Sequence, residues 1–128
     1  VFVSSLGSRF YHPEYPLGWM KAAMEKVIKY WATAYAHLDV NFNAVCAGIV
    51  RTDAFRVLRL LWPEVNRLPE EAFVPPEEVA DVVLFLCSPM ANSIRGQTIV
   101  VDRGMSNALN RSSEDVPSAS TRPPEESS

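Results

Sequence analysis

The stretch VSSLGSRFYHPEYPLGWMKAAMEK, residues 3–26, holds the side chains best suited to chemistry. Tyr15 is followed six residues later by Lys21, and Ser4 and Ser5 close the apolar run that precedes them. A loop phenol is a candidate proton donor. A free phenol titrates near about 10, and a neighbouring ammonium group favours the phenolate by Coulomb attraction. Each group also has an ordinary reading: a loop tyrosine, a solvated helix lysine, and serines that end a strand by bonding backbone groups. The elements around them decide between the two.

VFVSS at 1–5 is an apolar run stopped by serines and predicts a buried strand. Gly, Ser, His and Pro fill residues 6–15, a loop. From Pro16 to about His37 the pattern is helical, with proline suiting a helix start. Met20, Ala23, Met24, Val27, Ile28, Trp31 and Ala34 recur at steps of three and four and predict the buried face. VNFNAVCAG at 40–48 predicts a second strand, closed by Gly48. A short helix broken near Pro63 follows. PPEEVADVVLFLCSPM then reads as a helix with prolines at its start and Glu77 and Glu78 in its first turn, where the helix dipole favours acids. Val79, Val82, Val83, Phe85 and Leu86 are expected to form its buried face. GQTIVVDRG at 96–104 predicts a third strand. Nearly continuous apolar strands alternating with helices imply an α/β parallel sheet covered on both faces. Residues 108–128 are rich in Ser, Pro and Glu and are expected to be a disordered tail.

Composition narrows the function classes. Apolar residues make up 48 % of the 128, enough for a core. The net charge of −3 gives no case for binding nucleic acid or an acidic membrane. No apolar run approaches the roughly 18 residues of a membrane span, and no secretory leader is visible, so a cytoplasmic protein is expected. Two cysteines, Cys46 and Cys87, sit in apolar runs and suit buried free thiols in a reducing compartment. With two histidines besides, His12 and His37, there is no zinc-type ligand set, and both stand alone as surface or loop residues. None of the five glycines forms the Gly-rich strand–turn–helix that holds a pyrophosphate.

VSSLGS, Tyr15 with Lys21 leading KAAME, VNFNAVCAGIVRT, PPEEVADVVLFLCS and IRGQTIVVDRG, in this order and spacing, resemble the C-terminal half of a short-chain dehydrogenase/reductase. The nearest branch is the enoyl-acyl-carrier-protein reductases. The resemblance covers residues 1–107 and implies the C-terminal half of a doubly wound Rossmann-type sheet. It implies an oxidoreductase, NAD(P)H-dependent, reducing an enoyl thioester carried on acyl carrier protein or coenzyme A. By resemblance Tyr15 is the proton donor, Lys21 holds the nicotinamide ribose and tunes Tyr15, and Ser5 is the second active-site group. Gly48, Val50 and Thr52 are the cofactor-binding positions after the second strand, and no metal is implied. The helix from Pro16 to His37 is the expected homo-oligomer contact.

The chain also departs from the family pattern. Common short-chain dehydrogenases place the tyrosine four before the lysine, where this chain has Leu17. Enoyl reductases place it seven before, and here the gap is six. Six helical residues, at about 3.6 per turn, put two side chains on nearly opposite faces. Tyr15 is therefore expected outside the helix, where Pro16 pushes it. Trp19 and Met20, bulky for the family, are expected to narrow the pocket, and Arg103 stands where glycine is usual. Two other readings stay open: a non-catalytic remnant or interaction subunit without the nucleotide half, and a carbonyl or ketoacyl reductase of the same family.

Overall fold

The computed structural model describes residues 1–13 and 15–108. Past Ala108, the expected tail lies outside the described residues. Three strands, β1 (Phe2–Ser5), β2 (Ala44–Ala47) and β3 (Thr98–Val101), form one parallel sheet in that order. The helices are α1 (Gly18–Ala34), α2 (Asp53–Leu61), α3 (Pro76–Leu86) and the short α4 (Met105–Ala108).

Helices lie on both faces of the sheet, but β1 is not the buried strand expected: Ser4 is buried while Val3 is 48 % exposed, because α3 packs on β2 and β3 and not on β1. On one face Val45, Ala47, Ile99 and Val101 pack with Val79 and Leu86 of α3, Val74 and Ala91. On the other, α1 lies across β1, with Ser4 hydrogen-bonded to Glu25 of the helix. A second core of Phe55, Val65 and Phe73 lies beside α2, the two phenylalanine rings edge-to-face at 5.6 Å.

The strands are shorter than the apolar runs. The run expected at 40–48 makes a ladder only over Ala44–Ala47. Ahead of it the fully buried Asn43 spends its side chain on the loop before β3, donating to the Ile94 carbonyl (2.6 Å) and accepting from the Gln97 N–H (3.0 Å). The helix expected from Pro16 to His37 spans Gly18–Ala34.

Three further expectations about burial are corrected. Of the face expected on α1, Met24, Val27 and Ile28 are partly or fully buried, while Met20, Ala23, Trp31 and Ala34 are exposed, and Lys21, Glu25 and Ala32 share the partly buried side. Polar bonds to β1 decide the roll of the helix, and apolar periodicity does not see them. Phe85 is more than one-third exposed, because on α3 it lies off the side that meets β2 and β3. Cys46 is buried as expected, but Cys87, at the end of α3, is exposed.

Arg103, where glycine is usual, has φ 53°, a left-handed conformation that costs a non-glycine residue about 1–2 kcal/mol. Its guanidinium forks onto the Glu78 carboxylate of α3, which holds the residue in place. Next to it, Asp102 is buried and accepts the N–H groups of Gly104 (2.9 Å) and Ser106 (2.7 Å) at the start of α4. Burial acts to raise its carboxyl pKa, but the bonds from Ser106 and Gly104 together outweigh this and hold it below the usual value. A carboxyl whose folded pKa is depressed stabilises the fold fully above its unfolded value of about 3.9 and loses that contribution as pH falls through the folded value. Asp102→Asn is therefore expected to make the fall of the urea midpoint below about pH 4 shallower. An acid limb of unchanged slope counts against this role.

Candidate active site

The carboxyl ends of β1 and β2, where ligands of open parallel sheets bind, open onto a cavity of about 520 Å³. Five segments build its walls: the β1 end with the loop to α1 (Ser5, Gly7, Phe10, His12, Tyr15), the segment after β2 (Gly48, Val50, Thr52), α2 with Trp62 behind it, the start of α3 (Pro76, Val79), and Met105 of α4. The lining is overwhelmingly apolar. Ser5, Tyr15 and Thr52 bring hydroxyl groups to it.

Tyr15 lies before α1, as Pro16 predicts. Its hydroxyl shares a hydrogen bond of 3.0 Å with Ser5 Oγ. Its ring packs against Gly7: a Cβ there would come within 2.3 Å of two ring carbons. Gly7 in turn touches Gly18, where a Cβ would lie 2.3 Å from the Gly7 carbonyl oxygen. Two glycines in contact thus seat the tyrosine between the β1 turn and the start of α1.

Lys21 goes elsewhere. Its ammonium donates to the Val3 carbonyl at 2.9 Å, over the Phe2 ring (5.0 Å to the centroid), and it does not line the cavity. In a parallel ladder both backbone groups of a residue turn to the same side and those of the next turn away. The Phe2 N–H donates to Asn43 on the β2 side, so the backbone groups of Val3 and Ser5 turn away from β2. Lys21 has found that outward carbonyl. The structure thus brings Ser5 and Tyr15 together and leaves Lys21 just outside the wall.

Gly48, Val50 and Thr52 line the cavity together. Gly48 is required by packing, since a Cβ would fall 2.9 Å from Asp102 Cα. The Val50 carbonyl accepts from the Thr52 N–H (3.0 Å), folding the segment into a turn before α2. Thr52 makes no side-chain capping bond to that helix. Trp19, 73 % exposed, and Met20, 48 % exposed, do not reach the cavity, so their bulk does not narrow it. Arg51 pairs with Glu70 at 2.7 Å over the Phe73 ring, Arg59 donates to Asn66, and Arg56 lies 3.7 Å from Asp53.

Several contributors have no signal in the linear sequence. His12 lies in a loop as expected but is not alone: its ring packs at a tilt against Trp62, with centroids 4.6 Å apart, and both line the cavity. Gly7 and Gly18 read as loop and helix-start residues. Glu25 reads as one acid in KAAMEK, yet accepts from Ser4 and Ser8. Burial pushes the Cys46 thiol up beside this group, with hydrogen bonding from Arg9 and Ser8 opposing and the Glu25 charge adding. Among the described residues no group of His, Cys, Asp and Glu could hold a metal ion, and no helix is long and apolar enough to cross a membrane.

Residues 1–106 match the family model described as enoyl-(acyl carrier protein) reductase. The 1-cyclohexenylcarbonyl-CoA reductase of Streptomyces collinus is 35 % identical over 113 residues, 83 % of this chain and 40 % of that protein. A short-chain dehydrogenase/reductase family oxidoreductase from Burkholderia thailandensis superposes with a TM-score of 0.72 at 29 % identity, over 82 % of this chain and 43 % of that one. A 3-oxoacyl-[acyl-carrier protein] reductase from Brucella melitensis, solved with bound NAD, gives 0.65 at 27 % identity, over 80 % and 38 %. The chain spans about two fifths of the length of the curated relatives it matches.

Proposed function

The chain belongs to the short-chain dehydrogenase/reductase superfamily, near its enoyl-acyl-carrier-protein reductases, and from that premise we propose that the protein reduces an enoyl thioester with a nicotinamide cofactor. One observation carries this reading: the Ser5–Tyr15 hydroxyl pair at the mouth of an apolar cavity, beside Gly48, Val50 and Thr52. Apolar walls with a few convergent hydroxyls are the usual make-up of a small-molecule site.

The donor set fits the nicotinamide end of the cofactor. A flat ring suits the apolar walls, and the Thr52 hydroxyl and the backbone at Val50 would meet its carboxamide. The described residues hold no Gly-rich turn for the pyrophosphate. When bound, the cofactor supplies hydride. Tyr15 holds the proton that neutralises the charge left on the thioester oxygen. Ser5 orients that hydroxyl, and the apolar walls keep water away from it. Lys21 serves as ribose anchor by exchanging its bond to Val3. The acyl thioester, on acyl carrier protein or coenzyme A, lies along the apolar wall toward Leu58 and Trp62. Half-exposed Met20 and Trp31 on α1 fit a second copy of the chain, making the protein a homo-oligomer.

The test is oxidation of NADH and of NADPH, followed by absorbance, with enoyl and 3-oxoacyl thioesters of equal chain length. The enoyl thioester is expected to be the faster substrate, because the position four before Lys21 is Leu17 rather than tyrosine. Faster reduction of the 3-oxoacyl thioester makes the protein a carbonyl reductase. Oxidation with neither overturns the proposal.

A further inference from the structure

Glu25 stands one turn after Lys21 on the face of α1 that meets β1. Both side chains reach down to the strand, Lys21 to the Val3 carbonyl and Glu25 to the Ser4 hydroxyl. Ser4 is 2 % exposed, and its hydroxyl has this carboxylate as its partner. The same oxygen, Oε1, also accepts from Ser8 Oγ at 2.6 Å. Ser4 and Ser8 bracket the 3-10 turn Leu6–Ser8 together with Ser5. Ser5 is the hydroxyl partner of Tyr15, and Gly7 is the surface on which the Tyr15 ring rests. One carboxylate oxygen thus clamps the two ends of the segment that seats the tyrosine.

We propose that Glu25 is a positioning residue that sets Tyr15 by holding the Ser4–Ser8 segment against α1. This rests on the reading of Tyr15 as proton donor for its effect on rate, but not for its effect on geometry. The clamp needs an acceptor at Oε1. It does not need a charge. Glutamine offers a carbonyl oxygen there, and alanine and leucine do not. A serine pair donating into a carboxylate forms the stronger, charge-assisted kind of hydrogen bond, so glutamine is the weaker but geometrically matching substitute.

The experiment is carbon NMR of the full-length protein labelled at tyrosine Cζ, with the Tyr15 signal assigned by its loss in Tyr15→Phe. Glu25→Ala is expected to shift and broaden the Tyr15 signal, and Glu25→Gln to leave it in place. In parallel, Glu25→Ala is expected to lower kcat by about 10- to 100-fold, as small misplacements of a reacting group do. KM changes less, and Glu25→Gln recovers most of the rate. Should Glu25→Ala fail to fold, Ser8→Ala removes one half of the clamp at a partly exposed position and is expected to move the signal in the same direction. A Tyr15 signal unmoved in both overturns the proposal, as does a glutamine variant that behaves like alanine. If the signal moves as expected while Tyr15→Phe keeps full activity, the positioning stands and the proton-donor reading falls.

Discussion

Tyr15→Phe is expected to lower kcat by about 10²- to 10⁴-fold, the range a positioned general acid supplies, while leaving cofactor affinity nearly unchanged. The structure separates the two effects. The ring of Tyr15 is held by Gly7, and phenylalanine keeps that contact. What is lost is the hydroxyl, whose partner is Ser5 at 3.0 Å. The substitution therefore removes a proton and an oxygen without opening a void or moving the loop. The measurement is steady-state turnover with an enoyl thioester, beside a fluorescence titration with reduced cofactor. Unchanged turnover removes Tyr15 from the chemistry. Lost turnover together with lost cofactor binding makes it a structural residue of the pocket.

Gly18→Ala is expected to destabilise the fold by about 1–3 kcal/mol, read as a lower urea midpoint at unchanged slope. Two effects oppose each other. Alanine is the better helix former, by up to about 1 kcal/mol in a helix interior. At the first position of α1 much of that gain is absent. Against it, the new Cβ would sit 2.3 Å from the Gly7 carbonyl oxygen and 3.1 Å from the Gly7 carbonyl carbon. Those are backbone atoms, with no rotamer to turn aside. The overlap wins, and relief comes by parting the turn from the helix, which also withdraws the seat of Tyr15. A stabilised Gly18→Ala protein would show that the two segments separate at little cost.

Much of this architecture is legible in the linear chain. β2 and β3 announce themselves by nearly unbroken apolar runs, β1 by an apolar run that ends in two serines, and the position of Tyr15 outside the helix follows from Pro16. The roll of α1 is not legible. Periodicity ranks residues by hydropathy, whereas the helix is turned by Lys21 and Glu25 reaching for a carbonyl and a serine on β1. The cavity is partly legible. Gly48, Val50 and Thr52 were expected together and line it together. The contact of the His12 and Trp62 rings, fifty residues apart, leaves no trace in either neighbourhood. Nor does the contact of Gly7 with Gly18, since each glycine has an ordinary local explanation.

The bond from Lys21 to Val3 also places two events in competition. Among the described residues β1 is an outer strand, and a neighbouring strand that took the Val3 carbonyl as its ladder acceptor in place of the ammonium would set Lys21 loose. Edge occupancy and the reach of the lysine then form a linked equilibrium. Whatever binds the edge raises the fraction of molecules whose ammonium is available to a ligand, and a ligand that captures the ammonium strengthens pairing at the edge by the same factor.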